Sequence, residues 1–403
     1  MKFAHLSDCH VGGWREEELK ALSIEAFTRT ANICKEEGVD FIIIAGDLFN
    51  SSIPAIEALK DVTTALKSMK DSNIPVYCVP GSHDFSPSNK TMLDVLENAG
   101  LLINVYKFVN NKLSITIDQK TKTKITGMCG LRGSLEKLQY ATLLKDELEK
   151  EDGFKIFVFH TLLNELKPKQ FDEIEGEPLA SLPKNFNYYA GGHPHFVYSA
   201  DRQGYGKIAY PGPLFPNNFK ELEDLHHGGF YIIDERLSMK RIPIELKKVI
   251  KFSFSAENKT SQQLKEDVLK ALNSSDCADK IVLIRISGAL SAGKPSDIDL
   301  NSIVASIKHA YCVLRNTAKL TSKEFEEQPI EAASVEGIEE KVIKDHLGQI
   351  KFKDLDKDQE LVLVQNMMDV FNKEKDEGER NIDFEARITK DAVKLFHLEE
   401  VWG

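Results

Sequence analysis

The chain has 403 residues, 42% hydrophobic and 29% charged, which is ordinary for a soluble globular protein and long enough for two or three domains with sizeable cores. No run of about 18 apolar residues occurs, which excludes a membrane-spanning helix, and the opening MKFAHLSD enters a strand-like pattern directly, unlike a signal peptide. The net charge is −11, but residues 335–403 alone carry −7 of it, so the remaining −4 neither supports nor excludes a polyanionic partner.

In chain order, KFAHLS reads as a short apolar strand, 15–37 as a helix ending near Gly38, and DFIIIAGD as a strand buried on both faces. A helix follows over 54–70, with Pro54 where a first helical turn tolerates it. IPVYCVPG is the next buried strand, and 91–99 a short helix. Strand-like runs lie near 102–109, 112–118 and 123–129, then a helix over 134–150 and the buried strand FKIFVFH. Strands dominate 187–255. This is an α/β core with central β-sheets flanked by helices. Residues 250–330 form a smaller α/β unit: strand, helix (260–273), strand KIVLIRIS, helix (298–309), strand YCVLRN, with a Gly/Ser/Pro loop inside it. Residues 323–334 read as a linker, and acidic amphipathic helices follow. The expected domains are therefore 1–249, 250–330 and 331–403. The six cysteines (Cys9, Cys34, Cys78, Cys129, Cys277, Cys312) include no C-x-x-C pair and read as free thiols in a reducing cytoplasm.

Several buried runs end in residues able to hold a metal. The first ends in SDCH, with Asp8 and His10 two apart, so that on an extended chain they point the same way and Cys9 points opposite. The second ends in GDLFN, with Asp47; the third in GSHD, with Ser82, His83 and Asp84. His160 closes FVFH, and His193 and His195 lie two apart in GGHPH. Strand ends converge on one crevice in an open α/β fold. Carboxylate and imidazole without thiolate suit Mn, Fe, Zn or Mg rather than a structural zinc. Two such ions about 4 Å apart can share a carboxylate, activate a water and clamp a phosphodiester, and Asp47 is the natural bridge. Gly46, Gly81 and Gly192 let backbone approach the cluster closely. A lone histidine is more often an ordinary core or surface residue, and His5, His226, His227, His309, His346 and His397 read that way.

With these residues in order, the chain resembles the calcineurin-like metallophosphoesterases, and more narrowly the meiotic-recombination-11 (SbcD-type) nucleases of DNA double-strand break repair. FAHLSDCHVG, DFIIIAGDLFNSS, IPVYCVPGSHD, YYAGGHPH and YPGPLFPNNFKELED carry the resemblance, which covers about residues 1–250. It implies a di-metal exonuclease and endonuclease, with Mn²⁺ foremost. One ion would sit on Asp8, His10, Asp47 and His195, the other on Asp47, position 82, His160 and His193. His83 would face the scissile phosphate, stabilising the transition state or protonating the leaving oxygen, and Asp84 would orient it by a hydrogen bond. Ser82 stands where the family carries Asn, Asn50 where relatives often carry His or Asp, and Pro213 where Ser is common. Ser82 offers a neutral oxygen on a shorter stem, ligating directly or through a water, which implies a weakened second site; a non-catalytic DNA tether and a phosphoesterase for small phosphodiesters are the alternatives.

The resemblance further implies DNA ends and single strands as partners, and a cytoplasmic, nucleoid-associated place if the source is prokaryotic or archaeal. It implies a homodimer through 54–70 and 91–99, whose apolar members are Ile56, Leu59, Val62, Leu66, Leu93 and Leu96; the same stripe would equally serve to cover the sheet. Residues 250–330 would cap the duplex, with Lys251, Arg285, Lys308 and Arg315 either contacting phosphate or serving as ordinary surface charges. Residues 335–403 would dock on the coiled-coil base of an SbcC-type ATPase through Leu361, Val364, Met368 and Phe371 and through Ile388, Val393, Phe396 and Leu398, sets that would otherwise pack as a local hairpin.

Overall fold

The computed structural model describes residues 1–86, 91–131, 135–169, 174–323, 357–373 and 381–396. Two six-stranded sheets build the first unit, Met1–Val249 with Asp279–Ile281. The first sheet runs Met239–Ile244, Gly228–Asp234, Lys2–Leu6, Phe41–Ala45, Val76–Val79, Ile103–Asn104, parallel from Lys2–Leu6 onward and antiparallel before it. The second runs Val197–Arg202, Gly206–Pro211, Tyr188–Gly192, Lys155–His160, Lys124–Met128, Thr116–Ile117, with four parallel strands between antiparallel edges.

Alternation along each strand assigns its two faces. Phe41, Ile43 and Ala45 share a core cluster with Ile156, Val158, Tyr188 and Ala190 of the other sheet, so the sheets pack face to face. Phe157, Phe159 and Tyr189 belong to a second cluster with Leu163, Phe186 and Tyr210. Both faces are thus apolar, which is why FIIIA and KIFVFH read as unbroken apolar runs. The helices Glu17–Glu36 and Ile56–Asp71 pack on one another and bury Leu19, Leu22, Val62 and Leu66. The architecture is the expected sandwich of sheets flanked by helices.

Several boundaries differ from the sequence reading. Pro54 precedes the N-cap Ala55 and so lies outside the helix it was expected to open. The expected helix over 134–150 is two, Glu136–Thr142 and Asp146–Lys150, because Leu143 turns extended and is buried. The run 102–109 yields only Ile103–Asn104 and Phe108–Val109. A helix, Phe219–Leu225, interrupts the strand-rich stretch; Asn218 caps it by accepting from the Glu221 N–H. Met92–Asn98 starts with a reciprocal Thr91–Asp94 cap.

The helical stripe offered as a dimer face divides. Val62, Leu66, Leu93 and Leu96 are at most 2% exposed and belong to the core, so they cannot meet a partner, while Ile56 is 78% exposed and Leu59 half-buried. Exposed instead beside them in sequence are Ile53 and Val95.

The second unit comprises Ile250–Ala278 and Val282–Gly403. Strands Val249–Ser255, Ile281–Leu290 and Cys312–Ser322 form one sheet, and Val282, Ile284 and Ile286 share a core with Leu264, Val268 and Leu272 of the helix Ser261–Asn273. The expected helix over 298–309 is a 3-10 turn, Pro295–Ile298, followed by Leu300–Ser306. Lys251, Lys308 and Arg315 are exposed, and Arg315 donates to Asn301 Oδ1. Further on, Lys357–Phe371 and Asn381–Leu395 are helices that pack on each other, with Lys373 and Asp391 paired at 2.9 Å. The linker read over 323–334, apart from Lys323, and Leu398, His346 and His397 lie outside the described residues. Among the described residues no helix is long and apolar enough to cross a membrane.

Candidate metal centre

Asp8, His10, Asp47, His193 and His195 all have positive φ, between 40° and 99°. Non-glycine residues rarely adopt that region, and such strain clusters at functional sites. The ligand candidates therefore do not alternate along extended strands. They stand just past strand ends, where the chain turns sharply and throws each side chain into the crevice. Only His160 ends its strand with a side chain already placed.

Backbone and side chain stitch these turns together. Asp8 N donates to Gly46 O at 3.2 Å and His10 N to Asp47 O at 3.0 Å. His193 N donates to Asp8 Oδ1 at 2.9 Å, and His83 N to Asp47 Oδ1 at 2.8 Å. Two glycines are needed for the approach. A Cβ at Gly46, which has φ 85°, would lie 2.1 Å from His160 Nδ1, and one at Gly81 would lie 2.2 Å from Asp47 Oδ1.

The result is three overlapping groups whose ligand atoms lie within 4.8 Å of one another: Asp8, His10 and His195; His10, Asp47 and His83; Asp8, Asp47 and His160. His10 Nε2 is 3.0 Å from His195 Nε2, and 3.6 Å from Asp47 Oδ2. His160 Nε2 is 3.1 Å from the same Asp47 oxygen, and His195 Nε2 is 3.5 Å from Asp8 Oδ1. Asp47 is thus shared between the His10 and His160 sides. His193 is exposed, its ring centroid 5.2 Å from that of His160. Ser82 lies between Gly81 and His83, both of which pack on the Asp47 carboxylate.

The charges follow from this crowding. Burial would raise the Asp47 pKa, but His160 and His10 outweigh it and hold the carboxyl below the usual range. Burial would lower that of His160, yet Asp47 and Asp8 carry it up to about 10. His195 rises to about 9, because Asp8 and Glu221 outweigh burial. Burial wins at other members: it lowers His10, lowers His193 to about 4 and raises Asp8, so the charge within the crevice is unevenly shared. His160 Nδ1 donates to the Ala45 carbonyl at 2.8 Å, which turns the buried Nε2 toward Asp47 Oδ2, 3.1 Å away but outside hydrogen-bond geometry. A buried imidazole nitrogen facing a carboxylate, grouped with a second aspartate, fits a divalent cation. Cys9 does not compete, since burial and then Asp8 push its thiol far above the range in which it ionises.

One expected contact is absent. Asp84 does not hydrogen-bond His83. Its buried carboxylate accepts from the N–H groups of Leu48, Phe49 and Gly81, all at 3.1 Å, and so pins the Asp47 loop to the Ser82 turn. His83 Nδ1 donates to the Asn50 carbonyl at 2.9 Å instead, and its ring stands edge-on to His10. Among the other histidines, His5 is buried and bonds the Tyr188 hydroxyl. Sequence reasoning missed Glu221, whose Oε1 lies 2.9 Å from His195 Nδ1. Its signal was an Asn three residues before a Glu, the N-terminal signature of a helix. Beside the centre is a cavity of about 720 Å³, lined by His193, His195, Phe196, Leu162, Lys220 and Asp224 among others.

Residues 1–196 match the family model described as calcineurin-like phosphoesterase. Over those residues the chain is similar to the calcineurin-like phosphoesterases. That family uses a dinuclear metal site, for which the three groups are the candidate ligands. The chain also resembles curated proteins described as DNA double-strand break repair protein Mre11. It is 30% identical to that of Archaeoglobus fulgidus over 237 residues, 55% of this chain and 52% of the relative. Against Methanococcus maripaludis it is 28% identical, covering 58% and 63%, and against Saccharolobus solfataricus 27%, covering 72% and 75%. The match thus spans only about half to two thirds of the first two relatives.

Proposed function

We propose that this chain is a metal-dependent DNA nuclease that hydrolyses phosphodiester bonds, as exonuclease and endonuclease, in double-strand break repair. The observation that carries the reading is the convergence of Asp8, His10, Asp47, His83, His160 and His195 from separate strand ends into overlapping groups within 4.8 Å. One ion is held by Asp8, His10, Asp47 and His195, the other by Asp47, Ser82, His160 and His193, and Mn²⁺ suits this oxygen and imidazole set. When bound, such a pair would supply water activation and phosphate neutralisation. Asp47 orients both halves, since both its neighbours, His10 and His160, face one oxygen. His83 keeps Nδ1 on Asn50, so Nε2 is the nitrogen left to pass a proton to the leaving oxygen. Asp84 acts by holding the loop.

The partners are DNA ends and single strands, with residues 250–330 capping the duplex. A homodimer forms through Ile53, Ile56 and Val95 rather than through the buried stripe. An SbcC-type ATPase docks on 335–403, where Leu361, Val364, Met368 and Val393 are only half-buried. If the source is prokaryotic or archaeal, the place of work is the cytoplasm, on the nucleoid. Ser82 supports a second reading, a DNA tether with little or no catalysis.

A cleavage assay under Mn²⁺ titration, run on the native chain, His83→Ala and Ser82→Asn, tests both. Activity should vanish with excess chelator, fall by about two orders of magnitude or more in His83→Ala with metal binding kept, and rise in Ser82→Asn. Undiminished cutting in chelator rejects the metal reading. Tight DNA binding without cutting in any version favours the tether.

A further inference from the structure

Three imidazoles of the centre have their Nδ1 held by an acceptor. His160 is held by the Ala45 carbonyl and His83 by the Asn50 carbonyl, both backbone groups. His195 is held by a carboxylate, Glu221, at 2.9 Å. A carboxylate only accepts, so the His195 Nδ1–H donates, and Nε2 is left facing His10 and Asp8.

The Glu221 carboxylate is itself fixed. Its Oε2 accepts from the Asn217 N–H at 2.7 Å, and its Oε1 from the Asn218 amide. It is 15% exposed. The helix has supports besides this side chain. Asn218 caps it through the Glu221 backbone N–H, and Leu222, which is fully buried, anchors it. The carboxylate thus divides its work: Oε2 holds the turn at Asn217, and Oε1 holds the imidazole. A thread of contacts continues from there: Asn217 Nδ2 reaches Asn50 Oδ1 at 3.5 Å, and the Asn50 carbonyl holds His83.

We infer that Glu221 is a positioning residue: it orients His195 with Nε2 toward Asp8 and His10 and strengthens that one metal position, while leaving the His160 and His193 position untouched. The inference rests on the di-metal reading above. Its physical basis is general, since a carboxylate on the far nitrogen fixes the tautomer and ring orientation of a ligating histidine and raises its basicity, and losing such a partner costs roughly 10–100-fold in metal affinity.

Calorimetric titration of Mn²⁺ into the full chain, with thermal melting in chelator alongside, gives the test. Glu221→Ala should weaken one of the two ions by about 10–100-fold, leave the other within about threefold, and lower the chelated melting temperature by no more than about 4 °C, as for the loss of one hydrogen bond at a helix start. Glu221→Gln retains an acceptor oxygen and should recover most of the loss. The inference is overturned if Glu221→Ala binds both ions as the native chain does. It is equally overturned if both ions weaken together with a larger drop in the chelated melting temperature, or if Glu221→Gln is as impaired as Glu221→Ala. A native chain that binds no ion would instead reject the di-metal reading on which the inference stands, a result visible before any variant is compared.

Discussion

Two pairs of amphipathic helices look alike in sequence and differ in the molecule. Ile56–Asp71 and Met92–Asn98 bury their stripe, with Val62, Leu66, Leu93 and Leu96 at most 2% exposed. In Lys357–Phe371 and Asn381–Leu395 none of the described apolar residues is fully buried, and Phe371 and Phe396 are 57% and 39% exposed. Periodicity marks which face of a helix is apolar, but not what covers it. The first pair has a sheet beneath it. Among the described residues the second pair has chiefly its own partner helix, which leaves both stripes partly open.

The comparison can be broken at three points. The largest effect should come from Leu66→Ala, which opens a cavity in a closed core and should destabilise the chain by about 2–5 kcal/mol in denaturant unfolding. A loss within about 0.5 kcal/mol would mean that the stripe is not core. Next is Ile56→Glu, on the exposed edge of the same helix. It should leave stability unchanged and weaken self-association by about 30-fold, as for an interface residue worth about 2 kcal/mol; sedimentation that shows the same dimer at all concentrations would exclude this surface. The smallest effect should come from Phe396→Glu in the second pair. Stability of the first unit should stay within about 0.5 kcal/mol, while capture of an SbcC-type ATPase falls by about fivefold, or about 1 kcal/mol. Full-strength capture would leave the hairpin without the proposed role.

The centre divides along the same line between local and distant causes. Every residue of the three ligand groups was legible as a chemically suitable side chain, most of them at the end of an apolar run and His195 by its spacing from His193, because buried parallel strands advertise themselves by unbroken hydrophobicity. The reason they converge was misjudged. Alternation on an extended strand would have aligned Asp8 with His10, but both sit at positive φ past the strand end. Asp84 shows the same limit. Adjacency to His83 suggested a hydrogen bond, while the fold brings three backbone N–H groups to it. Glu221 was invisible as a site residue because its partner is 26 positions away along the chain.

What the sequence by itself determined is what local chemistry can encode: apolar runs that must be buried, glycines such as Gly46 where no Cβ fits, and a donor set of carboxylates and imidazoles without thiolate. Tertiary structure alone decided which nitrogen of each histidine faces the centre, which oxygen of Asp47 is shared, and which apolar stripe is core. Each of those depends on a partner far off in the chain, such as Ala45 for His160, Asn50 for His83 and Glu221 for His195. Hydrogen-bond direction and burial are properties of pairs, and a pair exists only once the chain has folded.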